Sequence, residues 1–297
     1  MKTIGFLNSA SDDATFAKPV EAFHKGLADN GYVVGRDVTI ISRWADGDYK
    51  KKLPALAKEL VNSHVDLIAT SGGAVAALAA LGATSANKAA KTLPILFISG
   101  FDPAKAGLLK QGNATGVHVS TTESVPERAD ALRSLLPKGA KIATLLRPGT
   151  FVFKREQEQA KKAKLIVVQA YDEKDLSGAL DTAAKKGASG LLVCADPFFT
   201  DKSKQIVALA NAHNLATAFA WRQIVEDGGL MSFGPSLLDA YHQIGVYAAM
   251  ILKGLKPDAL RVHMAKPNAF ELVVNRKTAD ALKLAIPQNL NRRIEVI

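Results

Sequence analysis

The residues with chemical potential in this sequence are small, polar and set directly after apolar runs. Ser71-Gly72-Gly73-Ala74 follows the apolar run at 65–69 and opens a helical pattern of small residues. A helix starting there turns unsatisfied backbone N–H groups and its positive dipole end toward one point. A carboxylate or phosphate suits that point, with the Thr70 and Ser71 hydroxyls as supporting donors; the alternative is a tight strand-to-helix turn. Asp196-Pro197-Phe198-Phe199 occupies the equivalent place in the second half. There a carboxylate suits an ammonium group and Phe198 an apolar wall, or else Asp196 simply caps the next helix. Asn8 and Ser9 close the first apolar run, where they either touch ligand or cap a helix. Ser99 and Asp102 lie in the loop after the fourth run, which is a ligand contact or only a turn. Trp221 ends the matching run of the second half, its indole covering a bound molecule or filling core.

Catalytic machinery is not assembled by these patterns. The histidines His24, His64, His118, His213, His242 and His263 are scattered, without the H-x-x-x-H or H-E-x-x-H spacing of a metal site. Cys194 sits in an apolar run, as a small buried hydrophobe does, and as a single cysteine it forms no internal disulfide. Nucleophile-elbow and Walker motifs are absent, and the glycines at 72–73 lack the G-x-G-x-x-G spacing and following acidic residue of a dinucleotide site. No cofactor and no metal is expected.

The 297 residues suggest two domains at about 150 residues each. With 48% hydrophobic and 22% charged residues, the composition is that of a globular chain. A formal charge of +10 admits acidic partners. The cations are nevertheless dispersed along predicted helix faces, and aromatic content is only 6%, without basic-aromatic interleaving, so no nucleic-acid partner is expected. No apolar run reaches the length of about 18 residues that spans a membrane. The first residues enter a strand directly, without the pattern of a secretion signal.

The elements that position these residues alternate between strand and helix, the signature of βαβ units around a parallel sheet. Strands are predicted at 3–7, 38–42, 65–69 and 93–98, separated by helical faces. The plan restarts at Lys141: residues 141–146 mirror 2–7, and 191–196 mirror 67–72. The fold class is therefore α/β, with two doubly wound parallel-sheet lobes joined by a hinge. Lobe one is expected over 1–119 plus about 235–266, and lobe two over 120–234 plus about 267–297. Ser124 and Glu127 fit a capping box at the head of a connecting helix. Ser236 and Asp239 open another helix, which Gly254 ends, and 270–274 reads as a lone strand.

These segments resemble the ABC transporter substrate-binding proteins of the tryptophan/tyrosine type. The resemblance rests on Ile4-Gly5-Phe6-Leu7-Asn8-Ser9-Ala10-Ser11, Trp44-Ala45-Asp46-Gly47, Ala69-Thr70-Ser71-Gly72-Gly73, Ala195-Asp196-Pro197-Phe198-Phe199, the stretch 228–234 and Phe270-Glu271-Leu272-Val273-Val274-Asn275. It implies a type I periplasmic-binding fold, an extracytoplasmic location and delivery of a small solute to a membrane permease, with the chain a monomer. Two departures stand out: Arg147-Pro148-Gly149 replaces the Asn-Pro loop of many members, and Phe233 stands where relatives often have Tyr. On this reading an amino-acid-like solute, aromatic or otherwise, places its carboxylate on residues 71–74 while Asp196 holds its ammonium. Its side chain meets Phe198 or Trp221, and closure of the lobes follows. The alternative is a ligand-sensing regulatory domain, and a less favoured one is a doubly wound enzyme.

Overall fold

The computed structural model describes residues 1–12, 14–265, 270–287 and 294–297. In chain order the first stretch runs β1 (Lys2–Asn8), α1 (Ala14–Ala28), β2 (Val38–Trp44), α2 (Lys52–Asn62), β3 (Leu67–Ser71), α3 (Ala74–Ala86), β4 (Ile95–Ser99) and β5 (Ala114–His118). The second runs α4 (Val125–Leu135), β6 (Lys141–Leu146), α5 (Phe153–Lys162), β7 (Ile166–Gln169), α6 (Asp175–Lys185), β8 (Ala188–Val193), α7 (Pro197–Asp201), α8 (Ser203–Ala212), β9 (Ala216–Phe219), α9 (Arg222–Glu226) and β10 (Met231–Gly234). The chain ends with α10 (Leu237–Leu252), β11 (His263–Met264), β12 (Glu271–Val274), α11 (Arg276–Ala281) and β13 (Ile294–Val296). Two compact units result, each built from two separated stretches: unit one is residues 1–120 with 237–265, and unit two is residues 121–236 with 266–297.

Unit one is a parallel sheet of order β11-β5-β4-β3-β1-β2. Strands β3 and β4 are buried along their whole length, as helices on both faces require. Strand β3 starts at Leu67, two residues later than the apolar run suggests. The reason is local: His64 takes a positive φ of 54°, and the Asp66 carboxylate accepts the Thr3 N–H at 2.8 Å, so the chain is still turning there. Strand β5 escapes the hydrophobic pattern because its centre is Gly116, where a Cβ would run into the Phe97 backbone. Helix α10 lies against α1 with glycines at the contact. A Cβ on Gly26 would strike the His242 carbonyl, and one on Gly245 the Phe23 carbonyl. The helix stops where expected: Gly254 has φ 101°, its N–H reaches the Ile251 carbonyl at 2.8 Å and the Leu255 N–H reaches Met250, a Schellman cap.

Unit two has the order β13-β12-β10-β9-β8-β6-β7. All neighbours are parallel except β10 and β12, which run antiparallel from Met231↔Val274 to Gly234↔Glu271. The strand expected to stand alone at 270–274 is thus an interior one, held between β10 and β13. The capping box expected at Ser124 does not form. Ser124 donates instead to the Thr121 carbonyl at 3.3 Å and receives Arg128 Nη2 at 3.2 Å, and its ψ of 12° aims the hydroxyl away from the first turn. Among the described residues, no helix is long and apolar enough to cross a membrane.

Candidate functional site

In a doubly wound sheet the strand order reverses at one point, and there the carboxyl ends of two neighbouring strands open outward. Unit one has its reversal between β1 and β3, unit two between β6 and β8. Asn8, Ser9, Ser71, Gly72 and Gly73 lie at the first, and Arg147, Cys194 and Asp196 at the second.

At the end of β1, Asn8 and Ser9 are fully buried. Asn8 Oδ1 accepts the Ala10 N–H at 2.9 Å, while Ser9 Oγ donates to the Gly72 carbonyl at 2.7 Å and thereby fixes the β3–α3 turn. Gly72 and Gly73 both have φ near +84°, at 83° and 84°, a conformation open to glycine. A Cβ on Gly72 would collide with Ser9, whereas one on Gly73 would meet nothing within 4 Å. Gly73 is half-buried, with open space where a side chain would stand, immediately before the first N–H groups of α3.

Tyr241 of α10 completes this cluster. Its hydroxyl lies 2.5 Å from Ser71 Oγ and 3.4 Å from Asn8 Nδ2, and burial pushes its ionisation well above the ordinary tyrosine value. The sequence shows Tyr241 only as one position of an apolar helix face; the available signal is that a buried phenol requires a hydrogen-bond partner. Thr70 is placed differently. Its hydroxyl donates to the Leu96 carbonyl at 3.0 Å and ties β3 to β4. Ser99 and Asp102 shape their own loop: Ser99 Oγ donates to the Phe101 carbonyl at 2.6 Å, and Asp102 accepts the Ala104 N–H at 2.9 Å. The Lys105 N–H leads the groups that hold the Asp102 carboxyl below its usual range. Ala74, the first residue of α3, is buried.

In unit two, Asp196 caps α7, its Oδ1 accepting the Phe198 N–H at 2.9 Å. The same oxygen lies 3.5 Å from Arg147 Nη1. The Arg147 guanidinium stacks over the Phe198 ring at 4.4 Å from its centroid and donates from Nε to the Tyr171 carbonyl at 3.1 Å. Phe198 contacts Phe199 at 5.4 Å between ring centroids, and Trp221 is buried at the N-cap of α9. Behind this layer lie two ionisable side chains that the sequence does not flag. Arg128 is wholly buried and, among the described residues, bonded only to neutral acceptors, such as the Phe233 carbonyl at 2.9 Å; burial lowers its pKa to about 10. Glu156 is buried too, and desolvation followed by the nearby Asp196 pushes its carboxyl up to about 8. Burial also raises the Cys194 thiol well above its normal value, which keeps it protonated and unreactive. No group of three metal-ligating side chains occurs among the described residues.

Two doubly wound units, each assembled from two separated stretches of chain and each with polar side chains at its switch point, define a type I periplasmic-binding fold. The chain belongs to the family of ABC transporter substrate-binding proteins, whose model matches residues 4–295. That family comprises binding proteins, not enzymes. The chain is similar to a tyrosine-binding protein of Clostridioides difficile (strain R20291), at 24% identity over 95% of this chain and 81% of that one. A conserved domain protein from Vibrio cholerae matches it with a TM-score of 0.84 and 23% identity, covering 97% of this chain and 96% of the other. An ABC domain in complex with L-Trp from Streptococcus pneumonia gives a TM-score of 0.82 and 24% identity, with the same coverages of 97% and 96%.

Proposed function

We propose that this protein is the extracytoplasmic solute-binding component of an ABC importer, acting as a monomer that hands its solute to a membrane permease. Its solute is an amino acid or a close relative bearing a carboxylate and an apolar, aromatic-type body. The observation that carries this reading is the cluster at the β1/β3 switch point, in a chain that matches the substrate-binding family almost end to end. The open space at Gly73 and the start of α3 favour the solute's carboxylate, and the Ser9, Ser71 and Tyr241 hydroxyls hold that turn rigid. In unit two, Phe198 and Trp221 supply apolar surface and Asp196 with Arg147 supplies charge. A solute that engages both units favours one arrangement of them and shifts their equilibrium, the signal a permease reads.

The reading is tested in cells lacking the gene for this protein, by uptake of labelled aromatic amino acids and aromatic acids. Restoration by the wild-type protein and not by Ser71→Ala supports it. Uptake unaffected by loss of the gene for every such solute contradicts it.

A further inference from the structure

We propose that Arg147, and not Asp196, is the charged group of unit two that meets the solute, and that the preferred solute is an aromatic carboxylic acid without an α-ammonium. This rests on the solute-binding reading above and narrows its substrate class. The first argument is the state of Asp196. Its Oδ1 is shared between the Phe198 N–H at 2.9 Å and Arg147 Nη1 at 3.5 Å, and its side chain is only 6% exposed. A carboxylate that caps a helix and faces a guanidinium has its charge compensated from within the protein. An ammonium brought to it also meets the like charge of Arg147, in surroundings where water screens little.

The second argument is the fixation of Arg147. Its guanidinium is stacked on Phe198, lies 5.9 Å from the Tyr171 ring centroid and donates to the Tyr171 carbonyl at 3.1 Å. A planar cation held on an aromatic face is already oriented for a carboxylate and loses little conformational freedom on binding one. Asp196 then acts as a positioning residue that holds the fork in place. Arg147 also directly follows β6, the place in unit two that Asn8 occupies at the end of β1, so it stands at the switch point where doubly wound sheets receive ligands.

The third argument is the sum of buried charge. Arg147 and Arg128 contribute two cations to this end of unit two, and among the described residues Arg128 is bonded only to the Phe233 and Thr121 carbonyls and the Ser124 hydroxyl. Asp196 contributes one anion, and Asp201, its side chain 10% exposed, contributes a second that the Lys202 ammonium offsets at 3.7 Å. Glu156, whose carboxyl burial raises to about 8, is mostly neutral at pH 7 and adds none. The local field therefore favours an anionic group over a cationic one.

The experiment compares matched solutes by calorimetry on ligand-stripped protein: L-phenylalanine against 3-phenylpropionate, L-tyrosine against 3-(4-hydroxyphenyl)propionate, and L-tryptophan against indole-3-propionate. Within each pair the apolar body and one carboxylate are shared, and only the ammonium differs. The proposal expects one or more deaminated acids to bind about ten times tighter than the parent amino acid, and Arg147→Gln to abolish that preference. Arg147→Lys, which keeps the charge, should retain the preference with weaker binding. Amino acids that bind as tightly as their deaminated partners or tighter in every pair overturn the proposal and leave the solute-binding reading intact. A preference unchanged in a folded Arg147→Gln overturns it likewise. Absence of binding by every member of every pair overturns both.

Discussion

Ser71 Oγ and the Tyr241 hydroxyl lie 2.5 Å apart although 170 positions of sequence separate them. The carboxyl end of β3 is thus held by a helix laid down only after the chain has passed through unit two. Tyr241→Phe removes the shared hydroxyl and leaves the buried Ser71 and Asn8 side chains short of a partner. Stranding such groups costs about 1–3 kcal/mol. Chemical denaturation should show a loss of that size, together with weaker solute binding; a variant as stable as the wild type would show that this contact is not structural.

The two turn glycines should respond unequally to alanine. Both need a positive φ, and Gly73 at φ 84° and ψ −177° lies in a region that essentially only glycine adopts, so an L-residue there costs about 1–3 kcal/mol. At Gly72 the added methyl also collides with Ser9, while at Gly73 the space is open. Both substitutions should destabilise, and Gly72→Ala should be clearly less stable than Gly73→Ala in thermal or urea unfolding, because only there does a collision add to the backbone strain. Equal losses from both would contradict the turn geometry.

Glu156 gives stability a pH dependence of definite sign. Its carboxyl ionises near 4.5 in an unfolded chain and near about 8 in the fold, because burial disfavours the charge. Between these values the native state holds a proton that the unfolded state releases, so stability falls as pH rises. The contribution is complete below about 4.5 and lost above about 8. The groups around the carboxyl are Asp196 and Arg128, whose charges enter the same balance, and the Cys194 thiol, which acts through a hydrogen bond. Glu156→Gln should melt near the wild-type temperature at pH 5 and above it at pH 8.5. His24, whose pKa burial lowers, adds an opposite slope, but it is common to both proteins and cancels in the comparison. A melting difference that stays constant with pH would contradict the burial of this acid.

The alternation of strands and helices, the restart at Lys141 and the residues at both switch points are legible in the sequence because apolar periodicity and Gly-Gly and Asp-Pro punctuation are local signals. Where a local signal is overridden, the reading departs from the structure. Strand β5 is masked by Gly116, which is needed for close approach to Phe97. The Ser124 cap is diverted by Arg128, a buried cation on the apolar face of α4 that periodicity cannot anticipate. Strand β12 looks solitary because its partners β10 and β13 lie far off in sequence. Tyr241 and Glu156 are hidden for the same reason: Tyr241 is one position of a largely apolar helix and Glu156 one charge among many on α5, and each is given its role by groups the tertiary fold brings to it.

The most direct test of the central claim is a thermal-shift screen of refolded, ligand-stripped protein against amino acids, aromatic acids, small peptides and sugars. A solute that binds only the native state stabilises it by about 2.7 kcal/mol at a hundredfold excess over its Kd. The account predicts a raised midpoint with one or more aromatic acids or amino acids, reduced in Ser71→Ala and in Asp196→Ala. A raised midpoint with sugars alone, or a response to acids that both variants leave unchanged, would contradict it.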